Sequence, residues 1–362
     1  MQPAYWHNST NMEKPIQLTA YSRGAGCGCK IAPAVLQEMI KTALPSDSFA
    51  SLLVGNQSND DAAVYDIGNG RAIISTADFF MPIVDDPTDF GKVAAANAIS
   101  DVYAMGGSPL MAIALLGWPI EKLPASVAAD VLDGARIICK EVGIPLAGGH
   151  TIDSTEPIFG LAVTGLVEQA HLKKNNEAKP GDWLFLTKPL GLGVLSTAQK
   201  RGLILPEHAE KMIQTMTTVN TLGESLGRIA DVSALTDITG FGLLGHCIEM
   251  AEGSNTSINL FYNAIPVLEG VRNYISQRIV PDATYRNWNS YSNQTQFEKG
   301  VNVMEAFNLL PDPQTNGGLL IAVSEKSADQ VVQLLTERGL IHHTNPIGRV
   351  TAAGDNRVIV SL

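Results

Sequence analysis

The sequence predicts an α/β protein made of two halves of similar size. Apolar runs of strand length alternate with helical segments along nearly the whole chain, as in sheets that are covered by helices. The polar stretch 168–182, which contains Pro180 and Gly181, interrupts this alternation, and Trp183 starts it again. Because linkers between domains are commonly polar and rich in proline and glycine, we place a domain boundary in this stretch.

The first half is predicted to contain a hairpin, three helices and three further strands. Gly68-Asn69-Gly70 is the turn signal of the hairpin. Asp89 is the expected N-cap of the second helix, and Gly106-Gly107 is its stop signal. The predicted strands are 62–65, 72–76, 110–116, 144–147 and 158–167, and the predicted helices are 31–43, 89–105 and 125–142.

The second half repeats the alternation of strands and helices. Gly191-Leu192-Gly193 opens a helix, and residues 280–300, which are polar and rich in Asn, Tyr and Ser, are expected to be irregular. The predicted strands are 183–187, 234–237, 258–261, 319–323 and 358–362, and the further helices are 207–229, 241–251 and 328–338.

The composition limits the partners and the compartment. The 362 residues include 36 acidic and 25 basic side chains, for a net charge of −11. Nucleic-acid binding needs a Lys/Arg surface, so we expect no nucleic-acid partner. We also expect no membrane partner, since no apolar run approaches ~20 residues and Met1–Pro15 has no signal-peptide core. Four scattered cysteines suit a reducing compartment, so we expect a cytoplasmic protein.

Residues 24–30 form a glycine-dense segment, Gly-Ala-Gly-Cys-Gly-Cys-Lys. It is no P-loop, because Cys29 precedes Lys30 and Ile31 follows it, and it lacks the third glycine of a dinucleotide fingerprint. The spacing of Cys27 and Cys29 is too short for a usual zinc site. Two interpretations stay open: an N-terminal arm with incidental thiols, or a loop that closes over a ligand, with Lys30 attracting an anion beside a reactive thiol.

Aspartates form the second candidate site. Asn59-Asp60-Asp61 precedes the first hairpin strand and Asp78 follows the second, so the hairpin would bring them to one edge. Asp101 lies within a helix, where it cannot cap, and shares a helix face with Asn97. Asp237 lies between a strand and a helix. Singly such residues are mostly caps and turn formers, but as a group they suit Mg²⁺ ions that bridge to phosphates.

Two glycine-containing segments follow or precede strands. Gly148-Gly149-His150-Thr151 is expected to be a loop after a buried strand, where backbone N–H groups could meet phosphate oxygens. His150 could contact a ligand, although a loop histidine is more often structural. The segment 312–318 by itself indicates only a turn.

With these motifs the chain resembles the selenophosphate synthetases (selenide, water dikinases), a family of the wider aminoimidazole-ribonucleotide-synthetase-like superfamily. The Cys-Gly-Cys-Lys segment at 27–30 is the most specific match, whereas residues 60–63 and 236–242 match motifs that are general to the superfamily. The matching segments run in order along the chain: 24–30, 59–64, 76–82, 97–107, 148–150, 236–245 and 312–318.

This resemblance implies a fold and a reaction. Residues 1–30 would be a flexible tail and the catalytic loop. Residues 31–168 would bind ATP and form a homodimer through a mixed sheet, and residues 182–362 would form the C-terminal α/β domain. The implied reaction converts ATP, selenide and water to selenophosphate, AMP and orthophosphate, and so supplies activated selenium for selenocysteine and selenouridine. It would require several Mg²⁺ ions, and the family also suggests K⁺.

The resemblance also gives roles to the matching residues. Cys27 corresponds to the essential catalytic cysteine and Lys30 to the loop lysine needed for catalysis. Asp61, Asp101 and Asp237 match the magnesium ligands. Besides Lys30 and Asp101, the positions that match the nucleotide site are Ser58, Asn59, Asp60 and Asp78, with Gly149, His150 and Thr151 reaching the nucleotide of the partner subunit.

Two other functions are weighed against this one. A thiamine-monophosphate kinase or an amidine-forming synthetase of the same superfamily would share the aspartates, but it would release ADP and have no use for Cys27 and Lys30. A non-catalytic thiol carrier would bind a metal or selenium through Cys27 and Cys29 without turning over nucleotide. That second alternative leaves Asp61, Asp101 and Asp237 unexplained.

Overall fold

Two β-sheets covered by helices organise the chain in the computed structural model, which describes residues 16–22, 24–31, 33–40, 49–55 and 60–362. The first sheet is built from the first half of the chain and the second sheet from the second half. The α/β expectation is therefore confirmed. Among the described helices, none has both the length and the apolar character that crossing a bilayer requires.

The first half supplies six strands in one mixed sheet. Its helices are α1 (Pro33–Ile40), α2 (Pro87–Ala104) and α3 (Ala125–Glu141). Its strands are β1 (Leu52–Val54), β2 (Ala63–Gly68), β3 (Arg71–Phe80), β4 (Ser108–Trp118), β5 (Leu146–Asp153) and β6 (Ile158–Glu168). The strand order is β1-β2-β3-β6-β4-β5, with β4 and β5 parallel and the other pairs antiparallel.

The two faces of this sheet differ in what covers them. On β3, Ala72 and Ile74 are buried and point toward α2, and Thr76 and Asp78 lie on the same face because strand side chains alternate. On the opposite face of β3 and β4, Phe79 and Ile113 are 56% and 41% exposed. Within the described part of the chain, helices therefore cover only the α2 face.

Helix α2 carries the polar residues of the later site, and its start differs from the expectation. Asp86, not Asp89, is the N-cap: its Oδ1 accepts a hydrogen bond from the Asp89 N–H at 2.8 Å. Pro87 occupies the first helical position, where a missing N–H costs nothing. The expected end is confirmed, because Gly106 follows the helix with a φ of 74°.

The second half forms a seven-stranded sheet. Its helices are α4 (Leu192–Lys200), α5 (Pro206–Thr217), α6 (Leu222–Gly227), α7 (Gly242–Gly253), α8 (Val271–Ser276), α9 (Asp282–Tyr291), α10 (Val303–Leu309) and α11 (Ala328–Glu337). Its strands are β7 (Trp183–Leu186), β8 (Val232–Asp237), β9 (Thr256–Phe261), β10 (Thr295–Phe297), β11 (Leu319–Val323), β12 (Gly348–Ala352) and β13 (Val358–Ser361). Their order is β10-β13-β9-β12-β7-β11-β8.

The expectation of an irregular segment at 280–300 is wrong, because α9 lies within it. The helix is polar overall, but Ala283, Asn287 and Tyr291 are buried at intervals of four residues. Asn287 Nδ2 donates hydrogen bonds to the carbonyl oxygens of Gly240 and Pro311. Tertiary hydrogen bonds therefore allow a polar sequence to pack as a helix.

The expectation of one continuous helix over 207–229 is also wrong. The chain leaves the helix between α5 and α6, where the Thr218 carbonyl accepts hydrogen bonds from Lys188 Nζ (2.7 Å) and Asn316 Nδ2 (2.9 Å). These buried donors belong to other parts of the second half and compete with the intrahelical bond. The break is decided by contacts distant in sequence.

The two halves pack against each other through α2. This helix contacts α5, α6 and β8 of the second half, and buried side chains of both halves belong to one hydrophobic cluster. Asn220 of the second half donates hydrogen bonds to Ser100 Oγ on α2 at 2.7 Å and to the Gly317 carbonyl at 2.9 Å. Polar residues on α2 are thereby held at the junction of the halves.

Candidate active site

A cleft of about 260 Å³ lies where β3 and α2 of the first half meet β8 and α7 of the second. Most of the aspartates singled out in the sequence line this cleft, together with the lysine of the glycine-dense segment. The lining residues are Lys30, Leu36, Asp60, Asp61, Thr76, Ala77, Asp78, Asp101, Asp237, Thr239, Phe241, His246 and Glu249.

Three carboxylates converge in the cleft. One oxygen each from Asp61, Asp101 and Asp237 lies within 4.8 Å of the others. Asp101 is brought there by the last turns of α2, and Asp237 by the end of β8; they are 8% and 1% exposed. Residues separated by 176 positions in the sequence, Asp61 and Asp237, thus meet in one cluster.

Neighbouring hydroxyl groups hold one side of each carboxylate. Thr76 Oγ1 donates a hydrogen bond to Asp101 Oδ2 at 2.5 Å, and Thr236 Oγ1 donates one to Asp61 Oδ1 at 2.8 Å. Ser100 donates its side-chain hydrogen bond to Asp237. The buried Oδ2 atoms of Asp61 and Asp237 have no hydrogen-bond partner within the described parts of the chain. Buried oxygens without partners are expected where a ligand or an ion completes the site.

Burial raises the pKa of all three carboxyls. The pKa of Asp237 rises to about 6, with desolvation as the main cause. Desolvation also raises the pKa of Asp61 and of Asp101 well above the usual range, and the charge of Asp237 adds to it in both cases. Like charges in a buried site favour protonation unless a cation lies among them.

The donor set fits a hard divalent cation. It consists of carboxylate oxygens held by hydroxyl groups, and oxygen ligands are those preferred by Mg²⁺ and Ca²⁺. A divalent ion would favour the ionised form of these carboxyls, against the desolvation and the like charges that raise their pKa values. Cysteine and histidine are absent from the cluster among the described residues, so a soft transition metal is a poorer match.

Asp78 and Asn97 connect this cluster to the second half. Asn97 Nδ2 on α2 donates a hydrogen bond to Asp78 Oδ2 at 2.5 Å, and its Oδ1 accepts one from the Asn316 N–H at 2.7 Å. Asn316 has a φ of 49°, and its carbonyl accepts a hydrogen bond from the buried Lys188 Nζ at 2.8 Å. The predicted shared face of Asn97 and Asp101 is thus buried and polar.

Asp60 lies at the rim of the cleft beside the metal-ligand candidates. Its Oδ1 accepts hydrogen bonds from the N–H groups of Asp61 (3.1 Å) and Asn175 (3.3 Å). Desolvation raises the pKa of Asp60 to about 6. The two predicted nucleotide-site residues before it, Ser58 and Asn59, lie outside the described residues.

The glycine-dense segment reaches the cleft through its last residue, Lys30. Residues Gly26–Cys29 form a single 3₁₀ turn, and the Gly26 N–H donates a hydrogen bond to the Met81 carbonyl at 3.0 Å. Lys30 Nζ lies 5.9 Å from the centroid of the Phe241 ring, a cation–π distance. The backbone of Cys27 belongs to this turn, whereas its side chain lies outside the described part of the structure.

The segment 148–151 is not a loop. It belongs to β5, whose predicted end at residue 147 was too early. Pairing with β4 explains the extension, since Leu115 aligns with His150 and Leu116 with Thr151. Gly149, His150 and Thr151 are exposed on this edge strand, and none of them lines the aspartate cleft of the same chain.

Two residues of α7 contribute a polar pair that sequence reasoning missed. His246 Nε2 accepts a hydrogen bond from the Thr239 N–H at 3.1 Å, and its Nδ1 lies 3.3 Å from Glu249 Oε2. Burial lowers the pKa of His246 to about 3 and raises that of Glu249 to about 8. The spacing of three residues on a helix face was the available signal.

The hydroxyls of Thr76, Ser100 and Thr236 were also missed. Each hydrogen-bonds a carboxylate of the cluster. Thr76 alternates with Asp78 on β3, and Ser100 and Thr236 each precede an aspartate, so adjacency was visible in the sequence. Serine and threonine are too common for this adjacency to identify them without the fold.

Comparison with known families places both halves in one superfamily. Residues 59–167 match the family described as AIR synthase related protein, N-terminal domain. Residues 179–361 match AIR synthase related protein, C-terminal domain.

Several curated relatives are similar over nearly their whole length. The selenide, water dikinase of Colwellia psychrerythraea strain 34H is 54% identical over 338 residues, which cover 93% of this chain and 96% of that protein. The selenide, water dikinase of Aeromonas hydrophila is 51% identical over 346 residues, covering 95% and 98%. That of Yersinia pseudotuberculosis is 51% identical over 351 residues, covering 96% and 98%.

Solved structures with the same fold are more distant in sequence. A thiamine-monophosphate kinase from Stenotrophomonas maltophilia aligns with a TM-score of 0.60 at 19% identity, covering 86% of this chain and 92% of that one. The hydrogenase maturation protein HypE in complex with ATP aligns with a TM-score of 0.63 at 20% identity, covering 84% and 85%. At these identities the similarity concerns the fold alone, and it confirms the predicted two-domain architecture.

Proposed function

Because the chain belongs to the selenide, water dikinase family, we propose that it is a selenophosphate synthetase that converts ATP, selenide and water to selenophosphate, AMP and orthophosphate. The cluster of Asp61, Asp101 and Asp237 is the observation that carries the proposal in the structure. Relatives that are about half identical over nearly the full length support the reaction class.

We propose Mg²⁺ as the divalent ion, held by Asp61, Asp101 and Asp237. When bound, Mg²⁺ would neutralise phosphate charge and orient the polyphosphate for transfer. The chain itself positions the three carboxylates through Thr76, Thr236 and Ser100. Asp60 and Asp78, which line the same cleft, would contact the nucleotide or waters around it.

Lys30 and Cys27 supply the remaining groups of the proposed mechanism. Lys30 lies in the cleft, and its positive charge opposes the rise of the Asp101 and Asp237 pKa values. An ammonium at this place would attract anionic selenide and the terminal phosphate. Cys27, three residues earlier, would orient the selenium nucleophile. Closure of their segment over the cleft would exclude water during the first phosphoryl transfer.

We further propose a homodimer built on the outward face of the six-stranded sheet. Apolar side chains, among them Phe79 and Ile113, cover this face, and such a patch favours a protein partner. His150 aligns with Leu115 across β4 and β5 and so occupies the same face. A second copy docked here would bring His150 and its neighbours toward the partner's subunit, which suits the role implied for Gly149, His150 and Thr151.

The reaction is tested by incubating the protein anaerobically with ATP, Mg²⁺ and selenide and following phosphorus NMR. We expect AMP, orthophosphate and a signal of phosphorus bonded to selenium. Release of ADP as the final nucleotide, without that signal, would instead indicate a simple kinase of the superfamily.

We also propose that the reaction needs K⁺, as the family resemblance implies. Replacing K⁺ by Na⁺ in the same assay should then slow selenophosphate formation.

The metal role has its own test in the Asp237→Asn variant. Removing one charge of the cluster should lower selenophosphate formation by at least about 100-fold, since charge stabilisation of phosphoryl transfer is lost. Asp133→Asn is the matched control, because Asp133 is exposed on α3 and pairs with Arg136. Equal activity of Asp237→Asn and wild type would contradict the assignment.

We also propose a cytoplasmic location, which fractionation of the source cells would test.

A further inference from the structure

Two cationic side chains of the second half bind the backbone of the glycine-dense segment. Arg286 on α9 donates a hydrogen bond from Nη2 to the Gly28 carbonyl at 2.8 Å. Lys200 at the end of α4 donates from Nζ to the carbonyls of Ser22 at 3.0 Å and Gly24 at 3.2 Å. All three hydrogen bonds join residues more than 170 positions apart, so they are tertiary contacts and not features of a local turn.

These contacts act on a segment that has little structure of its own. The single 3₁₀ turn of Gly26–Cys29 is too short to satisfy its own backbone groups. On its other side, the segment is joined to the first half by the Gly26 N–H bond to Met81. Gly26 has a φ of 51°, and a Cβ there would lie 2.4 Å from Ile83 Cδ1 and 2.5 Å from Thr315 Oγ1. The segment is therefore fitted between both halves.

A second cavity, of about 300 Å³, borders the same segment, and none of the three clustered aspartates lines it. Gly24, Ala25 and Gly28 line the cavity, whereas Lys30 lines the aspartate cleft. The segment thus contributes residues to both spaces. Lys200, Arg201 and Arg286 are cationic residues that also line this cavity.

Arg286 contacts the segment between Cys27 and Lys30, the two residues with proposed roles in catalysis. The Gly28 carbonyl lies between Cys27 and Lys30 in the chain. Charge-assisted hydrogen bonds are shorter and stronger than neutral ones, so the guanidinium fixes this carbonyl on the cavity side. Fixing it there constrains the backbone that leads to Lys30, whose Nζ lies 5.9 Å from the centroid of the Phe241 ring and which lines the aspartate cleft.

We propose that Arg286 and Lys200 are positioning residues that hold the glycine-dense segment closed over the aspartate cleft during phosphorylation of selenide. The proposal rests on the proposed function. It assigns to Arg286 the placement of Cys27 and Lys30, and to Lys200 the placement of the chain that enters the segment. Neither side chain acts on the substrate itself.

The test compares Arg286→Met and Lys200→Met with wild type in the full-length protein. We expect kcat for selenophosphate formation to fall about 10-fold or more, because misplacing a reacting group has effects of this order. KM for ATP should stay within about twofold, since the aspartates that bind it are untouched. Arg286→Lys, which keeps the charge, should recover a large part of the lost rate.

Arg201→Met is the matched control. Arg201 lines the same cavity, but its Nη1 donates to the Arg278 carbonyl at 3.4 Å and not to the glycine-dense segment. We expect wild-type kcat from this variant. Loss of activity in it equal to that of Arg286→Met would indicate a general effect of cavity charge and would overturn the proposal.

Alkylation of the segment's thiols gives a readout that is independent of turnover. Iodoacetamide labelling, followed by peptide mass spectrometry, should be several-fold faster at Cys27 and Cys29 in Arg286→Met than in wild type, with ATP and Mg²⁺ present. Cys139 and Cys247 are buried and serve as internal controls for unfolding. If Cys139 and Cys247 in Arg286→Met were labelled as fast as Cys27 and Cys29, Arg286 would be needed only for folding, and the proposal would fail.

The outcomes separate this proposal from the function itself. Wild-type kcat and labelling in both Met variants would overturn the positioning role while leaving the reaction intact. Absence of selenophosphate from the wild-type protein would overturn the function, and the labelling rates would still test whether Arg286 and Lys200 hold the segment.

Discussion

At the residue scale, the cluster of Asp61, Asp101 and Asp237 is suited to binding a cation, but it destabilises the folded chain when no cation is bound. Three carboxyls are held within 4.8 Å, and burial raises the pKa of each. Without a cation, ionising them in the folded chain costs free energy. The same arrangement becomes favourable when a divalent ion lies among the oxygens. The cluster therefore makes the folded state depend on its ligand.

Asp237→Asn should stabilise the metal-free protein although it should lower activity at least about 100-fold. The pKa of Asp237 is raised from 3.8 to about 6, so the folded chain binds the proton more tightly than the unfolded chain. Wild-type stability therefore falls as pH rises between these values, and the full penalty is present above about pH 6. Removing the charge should raise the free energy of unfolding by roughly 1–3 kcal/mol at neutral pH.

Denaturant unfolding in a chelator measures this difference. The gain should shrink as the pH is lowered from about 6 and vanish below the unfolded-state pKa of 3.8, where the wild-type carboxyl is mostly protonated in both states. Asp133→Asn, on the exposed surface of α3, should change little. A less stable Asp237→Asn protein at neutral pH would mean that the hydrogen bonds of the Asp237 carboxylate outweigh the cost of burying its charge.

At the element scale, the placement of α2 depends on close packing against α3. A Cβ at Gly91 would lie 1.9 Å from the Val131 carbonyl oxygen, and one at Gly134 would lie 2.0 Å from that of Thr88. The two glycines therefore let the helix backbones approach each other directly. Since α2 carries Asp101, the distance between these helices bears on the position of a metal-ligand candidate.

Gly134→Ala should destabilise the protein although alanine is the better helix former. The added methyl group would collide with α2, and such overpacking costs about 1–3 kcal/mol. Ala129→Gly, on the exposed side of α3, is the control and should cost about 1 kcal/mol through helix propensity alone. Thermal or denaturant unfolding checks both. A stabilised Gly134→Ala protein would show that the helices can separate without cost.

At the scale of the whole molecule, both halves contribute to the aspartate cluster, and the first half also presents an uncovered apolar sheet face within the described residues. Asp61 and Asp101 come from the first half and Asp237 from the second, and Asn220 and Asn316 hydrogen-bond across the junction. The outward face of the six-stranded sheet stays apolar and uncovered by the described residues of this chain. Antiparallel sheets often leave one face to water, but that face is then polar.

The double variant Phe79→Glu, Ile113→Lys should convert the proposed dimer to a monomer, because it places charges on this apolar face. Light scattering coupled to size exclusion measures the mass. Met304→Glu, which changes an apolar residue that is 72% exposed in the second half, is the control and should leave the mass unchanged. A wild-type monomer, or a double variant that stays dimeric, would exclude this face as the interface.

The hairpin and the main helices could be predicted because their signals are local. Gly68-Asn69-Gly70 has positive φ at all three residues, as the hairpin turn between β2 and β3 requires. The aspartates could be proposed as a metal site because Asp101 lies within a helix, where its carboxylate cannot cap the helix end and needs another partner. Helix α9 and the break at Thr218 could not be predicted, since both depend on hydrogen bonds from residues distant in sequence.

The sequence by itself determined the α/β class, the alternation of elements and the set of chemical groups, because propensity, periodicity and turn chemistry act over a few residues. The tertiary structure decided which of these groups meet. In the folded chain, Asp61, Asp101 and Asp237 converge, and the segment 148–151 belongs to an edge strand. Arg286 donates a hydrogen bond to the Gly28 carbonyl. Such contacts depend on the packing of whole elements, which no local pattern encodes.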